Sequence, residues 1–201
     1  MKKKILNAIL WSLLYVVAFF VADAFGFLHP FLWVYFGLIA AVLTAYPYVK
    51  LCKNHRVFGM ALLPVLFLMI AFYIVKEFDG QNMQLPIVSI AIALAAEGMR
   101  RFIGGYNSEA SVVSSYCLLA LIPTVDSMIL WLRPEYVLKM TENEMGEKYM
   151  EQMEAVSQIW ILLLVTLVIV ILAFASAIFV NRKTCDPLAI GINDDDDDDD
   201  F

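Results

Sequence analysis

Two carboxylates stand inside long apolar runs, and they are the residues best placed to do chemistry. Asp126 lies in Pro123-Thr-Val-Asp-Ser127, and Glu97 lies in Ala96-Glu-Gly-Met-Arg-Arg101. A carboxylate at the centre of a bilayer costs on the order of 3 kcal/mol on insertion scales, so each needs a partner or a wet cavity. For Glu97 the local spacing supplies a partner: Arg101 follows four residues on, an i,i+4 pair at the membrane edge. Asp126 has no cation three or four residues away. Arg133 is seven on, two turns along the same face. Two readings stay open for Asp126: it lines an outward-facing cavity, or it pairs with another helix. Pro123 removes one backbone bond and frees the carbonyl of Leu119, which suits a binding site and a plain packing device equally.

Other chemistry finds no residues. The two histidines, His29 and His55, fall at opposite membrane faces, and no metal cluster can be drawn. Cys52, Cys117 and Cys185 show no CxxC spacing and read as small apolar residues. No nucleophile elbow, phosphate loop, HExxH or histidine–carboxylate set occurs. The chain is expected to be no enzyme and to need no cofactor. Without a nucleotide-binding motif it cannot energise transport alone.

The elements that must hold these acids are membrane helices. The chain has 201 residues, 62% of them hydrophobic. Six apolar stretches, about residues 5–22, 31–49, 57–75, 85–101, 112–131 and 159–180, approach the ~20 residues that cross a bilayer. Only a helix satisfies its own backbone there, so the fold class is an all-α membrane protein with six transmembrane helices. Ten Lys and Arg (Lys2, Lys3, Lys4, Lys50, Lys53, Arg56, Arg100, Arg101, Arg182 and Lys183) fall on one side of these spans. Lys76, Arg133, Lys139 and Lys148 fall on the other, diluted by acids. The positive-inside rule places both termini in the cytoplasm of a bacterial cell membrane. Residues 1–183 form one integral membrane domain. Residues 184–201 form a cytoplasmic tail whose run Asp194–Asp200 self-repels and is read as disordered. That run accounts for the net charge of −6. The first span resembles a signal peptide but lacks a cleavage site, and is read as retained.

Short loops join the first five spans. The exception is the outer segment 133–158. Pro134 opens it as a first helical residue, and Met140, Met145, Tyr149, Met153 and Val156 recur at helical spacing between acids. This predicts an amphipathic helix lying over the outer mouth, with or without a functional role. Small residues four apart, Ala91 with Ala95 and Ala8 with Ser12, let helices approach closely, either within the chain or against a partner. The tryptophans lie mostly near span ends as interfacial anchors. Trp33, Trp131 and Trp160 share the outer side, where they could also stack on a ligand. Six spans without two matching halves argue against a self-sufficient secondary transporter.

The order of features resembles the Trep_Strep, or MptE-like, group, read as substrate-binding (S) components of energy-coupling factor (ECF) transporters. The resemblance covers most of residues 5–192. It is carried by Leu28-His-Pro-Phe-Leu32, Lys53-Asn-His-Arg-Val-Phe-Gly-Met60, Ala96-Glu-Gly-Met-Arg-Arg101, Gly105-Tyr-Asn-Ser108, Ser114-Ser-Tyr116 and Gly146-Glu-Lys-Tyr149. It implies six helices, an outward-facing ligand pocket, and docking onto a membrane coupling subunit driven by two ATPases. Small residues of the first helix would make that docking face, here Ala8 and Ser12, with Ala91 and Ala95 as a second candidate face. Location places Asp23, Gln81, Asn82, Asp126, Trp131, Arg133 and Trp160 at the pocket. The expected function is capture of a small molecule outside the cell and its delivery to the shared ATP-driven module. The alternative is a membrane adaptor that binds no small molecule and docks through its small-residue faces.

Overall fold

The computed structural model describes residues 2–75 and 84–184, and among them every regular element is helical. Helix α1 runs Lys2–Ala24 and ends in a short 3-10 turn, Phe25–Leu28. Three short helices follow in line: α2 Pro30–Val34, α3 Gly37–Leu43 and α4 Ala45–Asn54. Then come α5 Leu62–Ile74, α6 Gln84–Phe102, α7 Glu109–Leu119, α8 Ile122–Ser127 and α9 Ile129–Leu132. Helices α10 Pro134–Met145 and α11 Glu147–Val156 precede the long α12, Ile159–Lys183.

Three helical stretches are long and apolar enough to cross a membrane: 2–28, 109–127 and 159–183. The expected second span is instead broken into α2, α3 and α4. His29 starts α2, its Nδ1 accepting from the backbone N–H of Phe31 at 3.1 Å, with Pro30 as the first helical residue. The chain leaves helical geometry at Tyr35 and again loosens at Thr44. There the Thr44 hydroxyl bonds back to the Ala40 carbonyl at 2.8 Å, a contact that bends helices. The expected fifth span keeps a spanning length over 109–127, with a local break in regular helix between Leu119 and Ile122 and Pro123 in the turn that follows.

Helix α1 packs on α3, α4 and α5; α5 packs on α6, and α6 on α7. Helix α12 closes the bundle against α3, α4 and α7. Midway along, Phe19, Phe36 and Phe72 meet edge to face, with centroids 5.3 and 5.7 Å apart from Phe19. Farther along lies a buried hydroxyl cluster. Tyr116 donates to the Ala41 carbonyl at 2.8 Å and lies 2.9 Å from the Thr44 hydroxyl. Ser115 donates to Val112, so Tyr48, 2.7 Å away, donates to Ser115. Pairing spares each hydroxyl the cost of burial in an apolar interior.

The two ends of the bundle differ in charge. At one end Lys53 donates to the Asn181 carbonyl at 2.7 Å, and His55 donates to the Asn7 side-chain oxygen at 3.0 Å. These bonds gather the start of α1 and the ends of α4 and α12, and with them the basic residues. At the other end Tyr149 donates to the Gly26 carbonyl at 2.6 Å, and Tyr35 to Val156 at 2.8 Å. These tie α11 to the turn after α1 and to the start of the broken second helix.

His55 gives a pH test. Partial burial first, and the nearby Lys4 second, hold its imidazole below the ordinary value. A depressed histidine favours the fold while neutral. Its contribution is complete above about pH 6.5 and is lost as pH falls through the lowered folded value. We expect the melting temperature to fall modestly between pH 7 and pH 5, and His55→Gln to flatten that dependence. An unchanged slope in the variant would assign the effect to other groups.

Candidate functional site

At the end of the bundle opposite the termini, the structure encloses a cavity of about 370 Å³. That lies within the range of small-molecule sites. Its floor is Phe36 and Phe72, the upper edge of the aromatic core. Asp23 enters from the last turn of α1, and Asp126 with Ser127 from α8. Trp33 on α2 forms one wall. The cover is supplied by α10 and α11 through Tyr136, Val137, Met140, Thr141, Glu144, Met145 and Tyr149.

The amphipathic segment read from the sequence is thus two helices, not one. Pro134 opens α10 as expected. Gly146 separates the two at φ +90°, a backbone region that a side chain disfavours, although a Cβ there would meet no atom within 4 Å. The Thr141 hydroxyl and the Met153 sulfur, 3.9 Å apart, join α10 to α11 beneath the joint. Tyr149 anchors the cover to Gly26, and its partial burial raises the phenol above its ordinary value.

Of the residues placed at a pocket by sequence, the structure brings Asp23 and Asp126 to one cavity. Trp131, Arg133 and Trp160 do not line it. Trp131 spends its indole N–H on the Ser157 carbonyl at 2.7 Å, fixing the end of the cover. Arg133 is exposed at the start of α10. Trp160 is 59% exposed and donates to the Gln158 side chain at 2.5 Å. Gln81 and Asn82 lie outside the described residues, as do Cys185 and the aspartate run. The sequence reading missed Phe27, Phe36, Phe72, Tyr136 and Thr141. The recurrence of Met140, Met145 and Tyr149 was the available signal for the cover.

The small-residue faces divide. Ala8 and Ser12 are buried within the bundle, the Ser12 hydroxyl bonded to the Ala8 carbonyl at 2.8 Å. Ala91 and Ala95 are exposed on α6, while Ala93 and Ala96 point inward. Glu97 does not pair with Arg101, the partner read from spacing. Its carboxylate lies 3.4 Å from Arg100 and also accepts the Ala61 backbone N–H at 2.8 Å. Residues at i+3 and i+4 share one helix face, and here packing turns Arg100 inward, under the Tyr106 ring at 5.0 Å. Among the described residues, no group of His, Cys, Asp and Glu is placed to hold a metal ion.

Gly26 offers a test of the cavity wall. A Cβ at this position would lie 3.0 Å from the Trp33 Cα and 3.0 Å from its ring, too close for the wall to stay put. We expect Gly26→Ala to cost about 1–3 kcal/mol through overpacking and to displace Trp33. Tryptophan fluorescence and melting temperature should both change. A variant with wild-type values for both would show that the turn yields freely.

No curated protein and no solved structure matches the chain at a significant level. The sequence model of one family matches residues 2–183, nearly all of the described chain. Apolar helices of spanning length, a charge-sorted bundle and this match agree: the chain belongs to the Trep_Strep family, described as hypothetical bacterial integral membrane proteins.

Proposed function

We propose that this protein is the substrate-capture subunit of an energy-coupling factor importer. It takes a small molecule into the covered cavity from outside the cell. A membrane coupling subunit and two ATPases then move it inward. The observation that carries this reading is the cavity itself: about 370 Å³, at one end of an apolar bundle, under a cover of its own. The sequence brings no nucleotide-binding motif, so the energy must come from partners. The charge pattern supports six crossings of the bilayer, with both termini and the basic end in the cytoplasm and the cavity facing out.

Docking would use an exposed face. Ala91 and Ala95 satisfy that, and Ala8 with Ser12 would require helix α1 to turn or part from its neighbours. Co-expression with the coupling subunit and ATPases encoded in the same genome tests the reading. The chain should co-purify with them in mild detergent, and Ala91→Trp should weaken that association while the isolated protein stays folded. A chain that never joins an intact coupling complex would favour the adaptor reading. For orientation, a cysteine at Glu144 should be labelled in intact cells and one at Ser108 only after permeabilisation. The reverse pattern would turn the cavity to the cytoplasm.

A further inference from the structure

The proposed capture role leaves the ligand's chemistry open, and the cavity's lining narrows it. We infer that the cavity takes a small organic cation with an aromatic or apolar body. This rests on the cavity being the capture site.

Charge is the first ground. Asp23, Asp126 and Glu144 line the cavity, and no Lys, Arg or His is among its described lining residues. The neighbouring sequence does not reverse that sign. Residues 76–83 carry Lys76 against Glu77 and Asp79. The cover segment 133–158 carries six glutamates against three cations. Whatever individual pairs form, the described cover and lining together carry more acids than bases. Low-dielectric walls focus such a field and enrich cations at the entrance.

The walls are the second ground, and they separate an organic cation from a metal ion. Trp33, Phe36, Phe72, Tyr136 and Tyr149 are among the lining residues, as are Met140 and Met145. A cation over a ring face within about 6 Å gains from the ring quadrupole, most strongly when desolvated. Hard metal ions need several oxygens converging within about 2–2.6 Å, and the described acids are not grouped that way. A divalent ion would also occupy little of 370 Å³. An anion would face three carboxylates with no described basic residue in the lining to receive it.

Three probes that share one ring system and differ in charge test this on the purified full-length chain in nanodiscs. They are tryptamine (cationic), tryptophol (neutral) and indole-3-acetate (anionic), followed by thermal shift and by quenching of tryptophan fluorescence with an acrylamide control. The expected result is saturable stabilisation by tryptamine, with affinity at least tenfold above tryptophol and none for indole-3-acetate. Glu144→Gln should weaken tryptamine by several-fold without changing the melting temperature of the empty protein, because Glu144 is exposed at the rim. The double change Asp23→Asn with Asp126→Asn should bring tryptamine and tryptophol to parity. Equal or tighter binding of the neutral or anionic probe by the wild-type chain overturns the inference, as does saturable binding of none of the three. These measurements use the chain without its partners. Cation binding by a chain that joins no coupling complex would therefore sink the transport reading and leave this one standing.

Discussion

Replacing Glu97 by alanine should destabilise the protein by about 3–5 kcal/mol, the largest effect expected of any single change outside the cavity. Glu97 is 1% exposed and Arg100 is fully buried. The carboxylate holds two things at once, the Arg100 guanidinium and the Ala61 N–H at the head of α5. Without it, Arg100 keeps among the described residues only a 3.4 Å bond to the Val57 carbonyl and the Tyr106 ring. Its Nε and second terminal nitrogen already lack hydrogen-bond partners. A stranded buried charge is far costlier than a missing pair. Glu97→Leu combined with Arg100→Met should therefore recover much of the loss, because apolar residues of similar volume often replace a buried ion pair at no net cost. Thermal melts of the single and double variants in one detergent decide the matter. A Glu97→Ala protein that melts like wild type would show that the pair contributes nothing.

The second large effect is expected at Asp126, and it is read in binding. Asn keeps the shape of the side chain and loses its charge. Hydrogen bonds to an ionised acceptor are roughly twice as strong as neutral ones. If the carboxylate meets the ligand, Asp126→Asn should cut affinity on the order of tenfold, which corresponds to about 1.4 kcal/mol, with the melting temperature nearly unchanged. Removing a structural partner would instead lower stability and binding together. Tryptamine affinity and melting temperature, measured on the same preparation, separate the two. Unchanged affinity would remove Asp126 from the site.

Much of this architecture was legible in the residues, and the failures have physical causes. Apolar runs and cation alternation marked where helices lie and sorted the two ends, because both follow from burial and charge alone. Pro134 marked a helix start because its fixed φ and missing N–H suit that position. The breaks at Tyr35 and Thr44 were not legible, since neither residue breaks a helix by propensity. The Thr44 side chain bends the chain only when it chooses the Ala40 carbonyl over other partners. Asp23 and Asp126 could be placed at one end by depth. The choice of Trp33 over Trp131 and Trp160 could not, because depth leaves rotation about the helix axis undetermined. Trp131 and Trp160 satisfy their N–H groups within the cover, at Ser157 and Gln158. The same ambiguity misassigned Glu97's partner by one residue.

The bonds that fasten the cover bear on how the protein is made. Tyr149 reaches back 123 residues to Gly26, and Tyr35 reaches forward 121 residues to Val156. A ribosome delivers the chain from the N-terminus at about 5–20 residues per second, and distant pairings wait for their second partner. Asp23, Trp33 and Phe72 thus leave the ribosome well before Tyr149 and Val156 exist. During that interval Asp23 and the aromatic floor of the cavity lack the cover that α10 and α11 supply. Closing the cavity is among the last steps open to the nascent protein, and a chain stalled before residue 149 carries Asp23 and Asp126 without the bond that fastens the cover over them.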